Sequence, residues 1–140
     1  MKQTRISDCT LIHLPQIHAE AGSITAINNN LNIPFEIKRV YYLYDVPNRA
    51  DRGGHAHIAL HQLIIAISGS LDIELFDGYN TIKYTLNQPD QGLLLVPGIW
   101  RNLKNFSGGD ICLVLASREF EEDDYIRDLK EFNTLKIAEL

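Results

Sequence analysis

Short apolar runs alternating with turn clusters fill the chain from residue 10 to about 117, and this rhythm restricts the fold more than any other feature. The runs read "SITAI", "FEIKRVYYLYDV", "LIIAI", "LDIELF", "NTIKYTLN", "QGLLLVP" and "CLVLAS". Between them stand "NNNLNIP", "NRADRGG", "SGS", "DGYN", "NQPDQ", "PG" and "FSGGD", rich in the Gly, Asn, Asp and Pro that turns require. In "ELFDGYNTI", Asp77-Gly78 supplies the positive φ angles of a tight hairpin turn. Strands at this spacing predict a β-sandwich or small barrel of jelly-roll type.

The period changes near the end. In "DDYIRDLKEFNTL" the apolar residues Tyr125, Ile126, Leu129 and Phe132 recur at three and four, with acidic residues crowded at the front. This predicts one short amphipathic helix over 121–133, packed on the β-core or on a partner.

With 140 residues, 45% of them hydrophobic, the chain reads as one domain, 1–140, able to bury a core without disulfides or a structural metal. The net charge of -5 disfavours a diffuse grip on nucleic acid or anionic lipid, so a polyanion site has to be a local cluster of Arg and the ligand is expected to be small. Cys9 and Cys112 lack zinc-type spacing, no basic segment precedes an apolar stretch at the N-terminus, and the apolar runs are too short to span a bilayer. The expected location is the cytoplasm.

"RGGHAHIALHQ", residues 52–62, holds three of the five histidines. On an extended strand His55 and His57 share a face, so two imidazoles converge. Gly53-Gly54 leaves room for a ligand or permits a bend, and Arg52 stands just outside. The spacing His-x-His, four residues, Gln62, six residues, Gly69 follows the first cupin motif, in which the Gln62 position is normally a glutamate and the three residues bind metal. "VPGIWRNL" resembles the second, with Arg101 where a His ligand is usual. Arg cannot ligate a metal, and an amide is a poor transition-metal ligand, so no metal is expected, although His61 offers a substitute donor.

The same groups suit metal-free proton transfer. Imidazole titrates near neutral pH and can take or return a proton at carbon. Arg39, Arg52 and Arg101 can bind a phosphate or steady a developing enolate oxygen. In "IKRVYYLYD", Arg39 and Tyr41 fall on one face and Val40, Tyr42 and Tyr44 on the other; this stretch alone does not say which face is inside.

"GSITAINNNLNIPFEIKRVYYLYDVPNRADRGGHAH", followed by "LVLAS" and "DDYIRDLKEF", closely resembles the WxcM-like, FdtA-type sugar nucleotide 3,4-ketoisomerases over roughly residues 20 to 133. The resemblance implies an all-β, cupin-type double-stranded β-helix (jelly roll) with one short C-terminal helix. It also implies a homodimer with exchanged N-terminal strands, a dTDP-linked 4-keto-6-deoxyhexose as substrate, no cofactor, and a PLP-dependent aminotransferase making 3-amino sugars as the next enzyme. His55 and His57 match the family's essential histidine pair and Tyr41 an active-site tyrosine, which selects the Arg39/Tyr41 face as inward. His55 is then expected to be the carbon base, with His57 and Tyr41 relaying or donating protons to the oxygens. Arg39, Arg52 and Arg101 are expected to hold diphosphate or sugar, and Trp100 to stack on the thymine or sugar. Some members carry Arg at the position of Ala21 and His at that of Arg101; Arg101 resembles the members that make the gluco product.

Each residue also has a structural reading. His55 and His57 can be satisfied members of a polar strand, the tyrosines sheet packing, Trp100 a core indole, and the arginines surface ion-pair partners. The run "EFEEDD" reads as a solvated helix start, His61 as structural or exposed, His13 and His18 as surface residues, and Cys112 as core. Two other functions share the site: a non-catalytic sugar-nucleotide-binding cupin, and a metal-dependent cupin enzyme.

Overall fold

The computed structural model describes residues 1–138. Twelve strands run through it: β1 (Thr10–His13), β2 (Ile17–Ala19), β3 (Gly22–Ile24), β4 (Arg39–Leu43), β5 (Arg52–His57), β6 (Gln62–Ser68), β7 (Leu71–Phe76), β8 (Thr81–Leu86), β9 (Gln91–Leu95), β10 (Trp100–Lys104), β11 (Ile111–Ala116) and β12 (Tyr125–Ile126). Helix α1 (Leu129–Ala138) closes the described chain. Ten strands form two five-stranded sheets, ordered β1-β9-β6-β11-β4 and β12-β5-β10-β7-β8, while β2 and β3 form a separate hairpin. All pairings are antiparallel. This is a jelly roll of the cupin type, the fold class expected from the rhythm and the motifs.

Alternation builds the core. On β7, Leu71, Ile73 and Leu75 are buried between the sheets and their neighbours are half-buried. They meet Ile64, Ala66, Leu93, Leu95, Leu103 and Val114 from both sheets. Strand β6 is buried on both faces, because Leu63 and Ile65 turn outward beneath a cover made by Leu14, Ile33 and Phe35. That cover explains why "LIIAI" reads as a continuous apolar run rather than an alternating one.

Two local expectations are corrected. The β7–β8 turn centres on Gly78 and Tyr79 rather than on Asp77-Gly78: Asp77 N–H donates to the Asn80 carbonyl at 3.2 Å, and of these residues only Gly78 has positive φ. Asp77 acts through its side chain, accepting from the N–H groups of Tyr79, Asn80 and Ile6. The helix predicted over 121–133 begins only at Leu129. Its first part is instead a 3-10 turn, Glu122–Asp124, and β12, whose Tyr125 and Ile126 pair with His57 and Ala56 of β5. Ladder bonds to a strand edge override the helical period there, and Asp128 starts α1 by accepting from Lys130 N–H at 3.1 Å. Phe132 then packs fully buried against Trp100 and Phe76.

Among the described residues no helix is long and apolar enough to cross a membrane. Strand β1 lies along β9 of its own chain, and the β2–β3 hairpin leaves Ile17 and Ile24 exposed.

Candidate active site

Strands β4, β5, β6 and β10, together with the segment ending in β12, surround a cavity of about 430 Å³, a volume within the range of roughly 300 to 1,000 Å³ that small-molecule sites occupy. Strand β5 carries the chemistry. It pairs with β10 in a broken register, Arg101 opposite His55 but Leu103 opposite Arg52, so an extra residue bulges at Gly53-Gly54. Gly53 has φ +88, and a side chain there would press on Leu103 at 3.0 Å, so glycine is required where the strand bends. The bulge separates Arg52, exposed at the rim, from His55, half-buried in the wall.

His55 and His57 do converge: their Nε2 atoms lie 3.1 Å apart. They differ in depth, however. His55 lines the cavity, whereas His57 is fully buried behind it. His57 Nδ1 lies 3.0 Å from Oδ2 of Asp124, itself buried. The other carboxylate oxygen, Oδ1, accepts from Ala59 N–H at 2.8 Å.

Opposite stand Tyr41, Gln62 and Arg101. The Arg39/Tyr41 face of β4 is the inner one, while Val40, Tyr42 and Tyr44 are exposed. Gln62 Nε2 donates to the Tyr41 hydroxyl at 3.0 Å, and Gln62 Oε1 accepts from Arg101 Nη1. Arg101 is buried, yet its Nε has no hydrogen-bond partner among the described residues, and neither has the buried Nε of Arg39. Arg39 Nη2 donates to the Tyr125 hydroxyl at 3.4 Å. Arg127 covers the Tyr125 ring at 4.2 Å and is held by Glu122 through Nε and Nη2. Four guanidinium groups, Arg39, Arg52, Arg101 and Arg127, thus line one cavity.

This crowding sets the protonation states. Burial first, then the cations of Arg101 and Arg127, hold His55 far below the ordinary histidine value, at about 3, with a backbone hydrogen bond to Gly53 opposing. His57 is depressed still further, by burial and then by Arg101. Both rings are therefore neutral at physiological pH. Burial raises the Tyr41 phenol against the pull of Arg101, so it stays protonated. Burial lowers Arg101 to about 10, which leaves it a cation at neutral pH.

The structure thus brings His55, Tyr41, Arg39, Arg52 and Arg101 to one cavity and sets His57 directly behind. Trp100 does not line it: the indole is buried in a core cluster with Ala56, Ile126 and Phe132. His61, at the foot of β6, lies against Phe35 away from the cavity. Of the other cavity residues, Phe120 and Arg127 carry no role in the sequence reading and Tyr125 figures there only as an apolar helix residue, while Asp124 belongs there to a solvated helix start. A strand alternation was there to find: in "DYIR", Asp124 and Ile126 point inward to the core while Tyr125 and Arg127 face the cavity.

Among the described residues no cluster of His, Cys, Asp and Glu has the makings of a metal site. A cavity lined by four arginines, with neutral imidazoles and a protonated phenol, thus sits in a jelly roll of the cupin type. The family model described as FdtA: WxcM-like, C-terminal matches residues 7–137, and the chain belongs to this family. The chain is 40% identical over 122 residues to TDP-4-oxo-6-deoxy-alpha-D-glucose-3,4-oxoisomerase of Aneurinibacillus thermoaerophilus, covering 87% of this chain and 88% of the relative. The structure of the WlaRB TDP-quinovose 3,4-ketoisomerase from Campylobacter jejuni is 46% identical, with a TM-score of 0.89 over 92% of this chain and 99% of that one. A mutant of the 3,4-ketoisomerase QdtA from Thermoanaerobacterium thermosaccharolyticum, in complex with TDP-4-keto-6-deoxyglucose, is 36% identical, with a TM-score of 0.91 over 93% and 94% of the two chains.

Proposed function

We propose that the chain is an isomerase that converts TDP-4-keto-6-deoxyglucose to the 3-keto-6-deoxyhexose of gluco configuration. The observation that carries this reading is the neutral His55, facing a protonated Tyr41 across a cavity lined by four guanidinium groups. Removing the C3 proton of a 4-ketose leaves an enediolate with charge on O4. His55 takes that proton, and Tyr41, with Arg101 beside it, supplies a hydrogen to O4. His55 returning the proton to C4 while the O3 proton passes to the Tyr41 oxygen gives the 3-ketone and restores both groups, so no electron leaves the sugar and no redox cofactor enters. Each positioned acid or base is worth about 10²- to 10⁴-fold in rate. Arg39, Arg52 and Arg127 are placed to hold the diphosphate.

The gluco preference rests on Arg101 and on the 46% identity to a TDP-quinovose enzyme, quinovose being 6-deoxyglucose. A 3-ketone is the reactive group a PLP-dependent aminotransferase requires, so a 3-amino sugar is the assigned end product. A homodimer exchanging the N-terminal strands covers the exposed Ile17 and Ile24 of the β2–β3 hairpin. The cytoplasm, where nucleotide sugars are made, is the assigned compartment.

NMR of the 4-keto sugar nucleotide mixed with the protein in D₂O tests the reaction. The expected result is a 3-keto product of gluco configuration carrying solvent deuterium. Absence of both exchange and product overturns the reading. His57→Asn is expected to abolish turnover while TDP still binds; unaltered turnover rules out a part for His57.

A further inference from the structure

His57 is fully buried, so whatever it contributes to the isomerase reaction passes through His55. Its surroundings fix how. Asp124 is held at two points: its carboxylate Oδ1 accepts from Ala59 N–H at 2.8 Å, and its backbone carbonyl accepts from Ile58 N–H at 3.0 Å. Its remaining oxygen, Oδ2, lies 3.0 Å from His57 Nδ1. A carboxylate offers only lone pairs, so the hydrogen of that contact belongs to the ring nitrogen. A neutral His57 protonated on Nδ1 has its lone pair on Nε2, facing His55 Nε2 at 3.1 Å. His55 then supplies the hydrogen of that second contact, so in the neutral ring its lone pair is left on Nδ1, and the Gly53 backbone bond that favours a protonated His55 forms when that nitrogen takes a proton.

We propose that Asp124 is a positioning residue that sets the tautomer of both histidines, passing through His57 to make Nδ1 the basic nitrogen of His55. This rests on the isomerase reading above. When His55 Nδ1 takes the carbon proton, its Nε2 hydrogen stays shared with His57 Nε2, and the Asp124 carboxylate behind His57 offsets part of the positive charge on the pair. Return of the proton to the neighbouring carbon reverses the transfer, and every hydrogen is conserved. Asp124 touches neither the cavity nor the substrate; it acts only through His57.

Asp124→Asn is the informative change. Ala59 N–H still demands an acceptor, which places the amide oxygen at Ala59 and the NH₂ at His57 Nδ1. His57 is then forced to carry its hydrogen on Nε2, His55 Nε2 has to accept it, and the basic nitrogen of His55 is lost to the pair. An inverted imidazole of this kind is expected to lower kcat on the order of 10²- to 10⁴-fold, with KM changed less than about 3-fold. The ¹⁵N spectrum of the histidine rings reads the tautomer without turnover: wild-type His57 is expected as Nδ1–H and the Asn variant as Nε2–H. Wild-type kcat in the Asn variant overturns the proposal, as does an Nε2–H signature for His57 in the wild type. If the variant does not fold, the wild-type spectrum decides alone. A wild-type protein with an Nδ1–H His57 that makes no 3-keto product overturns the isomerase reading while leaving the tautomer assignment standing.

Discussion

Arg101 and Gln62 are locked to each other inside the barrel, the guanidinium Nη1 donating to the amide Oε1, with both side chains buried. That bond turns the amide so that its NH₂ reaches the Tyr41 hydroxyl, which accepts and keeps its own hydrogen for the cavity. Gln62→Leu leaves a buried guanidinium nitrogen and the phenol oxygen short of partners. It is expected to cost about 2–4 kcal/mol of stability, read from urea midpoints, and to lower kcat as well.

On the proposed mechanism, Tyr41→Phe removes the hydrogen donated to O4 and little else. The expected loss in kcat is about 10²- to 10⁴-fold, with KM nearly unchanged, checked by steady-state kinetics on the 4-keto sugar nucleotide. Because burial raises the phenol above its ordinary value, the wild-type rate should not fall through Tyr41 ionisation anywhere below pH 10.

The depressed His55 value has a sign that ligand binding reverses. Arg101 and Arg127 help to hold it at about 3, and a bound diphosphate offsets their charge. NMR titration is expected to show the His55 ring neutral down to about pH 3 in the free protein and titrating at higher pH with TDP. An unchanged or lowered value with TDP bound would contradict a diphosphate seat among these arginines.

The same burial makes the fold acid-sensitive. Unfolded histidines take up protons as pH falls through about 6.5, whereas folded His55 does so only near 3 and His57 lower still. The unfolded state thus binds more protons in that window, and stability falls with falling pH, by at most about 1.4 kcal/mol per pH unit for each ring. Denaturant midpoints between pH 7 and pH 4.5 should show this slope, and His57→Asn should flatten it. Asp72, Asp77 and Asp110, whose values are lowered, add their own loss only at more acid pH.

Metal dependence is the remaining contrast. Arg101 stands directly across from His55 on β10, which puts a fixed cation where the related metal sites have a donor. Activity is expected to survive dialysis against EDTA. The double variant Gln62→Glu, Arg101→His restores both missing donors and is expected to bind Zn²⁺ stoichiometrically, as measured by calorimetry.

Local patterns in the sequence disclosed much of this. Alternation in "RGGHAH" predicted that His55 and His57 share a face, and in "KRVYY" that Arg39 accompanies Tyr41. The cupin spacing picked out Gln62 and Arg101 as the departures, and those two are bonded to each other. Depth was not legible: alternation cannot say that His57 lies behind His55, or that Trp100 turns to Phe132. Nor was Asp124, 67 positions from its histidine partner, because a short strand pairing with β5 replaced the helical period that Tyr125, Ile126 and Phe132 display in the sequence.

The edge pairing of β12 with β5 also imposes an order of events during synthesis. A growing chain makes both β5 and β10 well before residues 124–127 leave the ribosome. Until they do, His57 has no carboxylate beside it and the cavity lacks Tyr125 and Arg127. The two sheets can pair before this part of the site exists, so the cavity lining and the His57–Asp124 contact are completed only once residues 124–127 have been made.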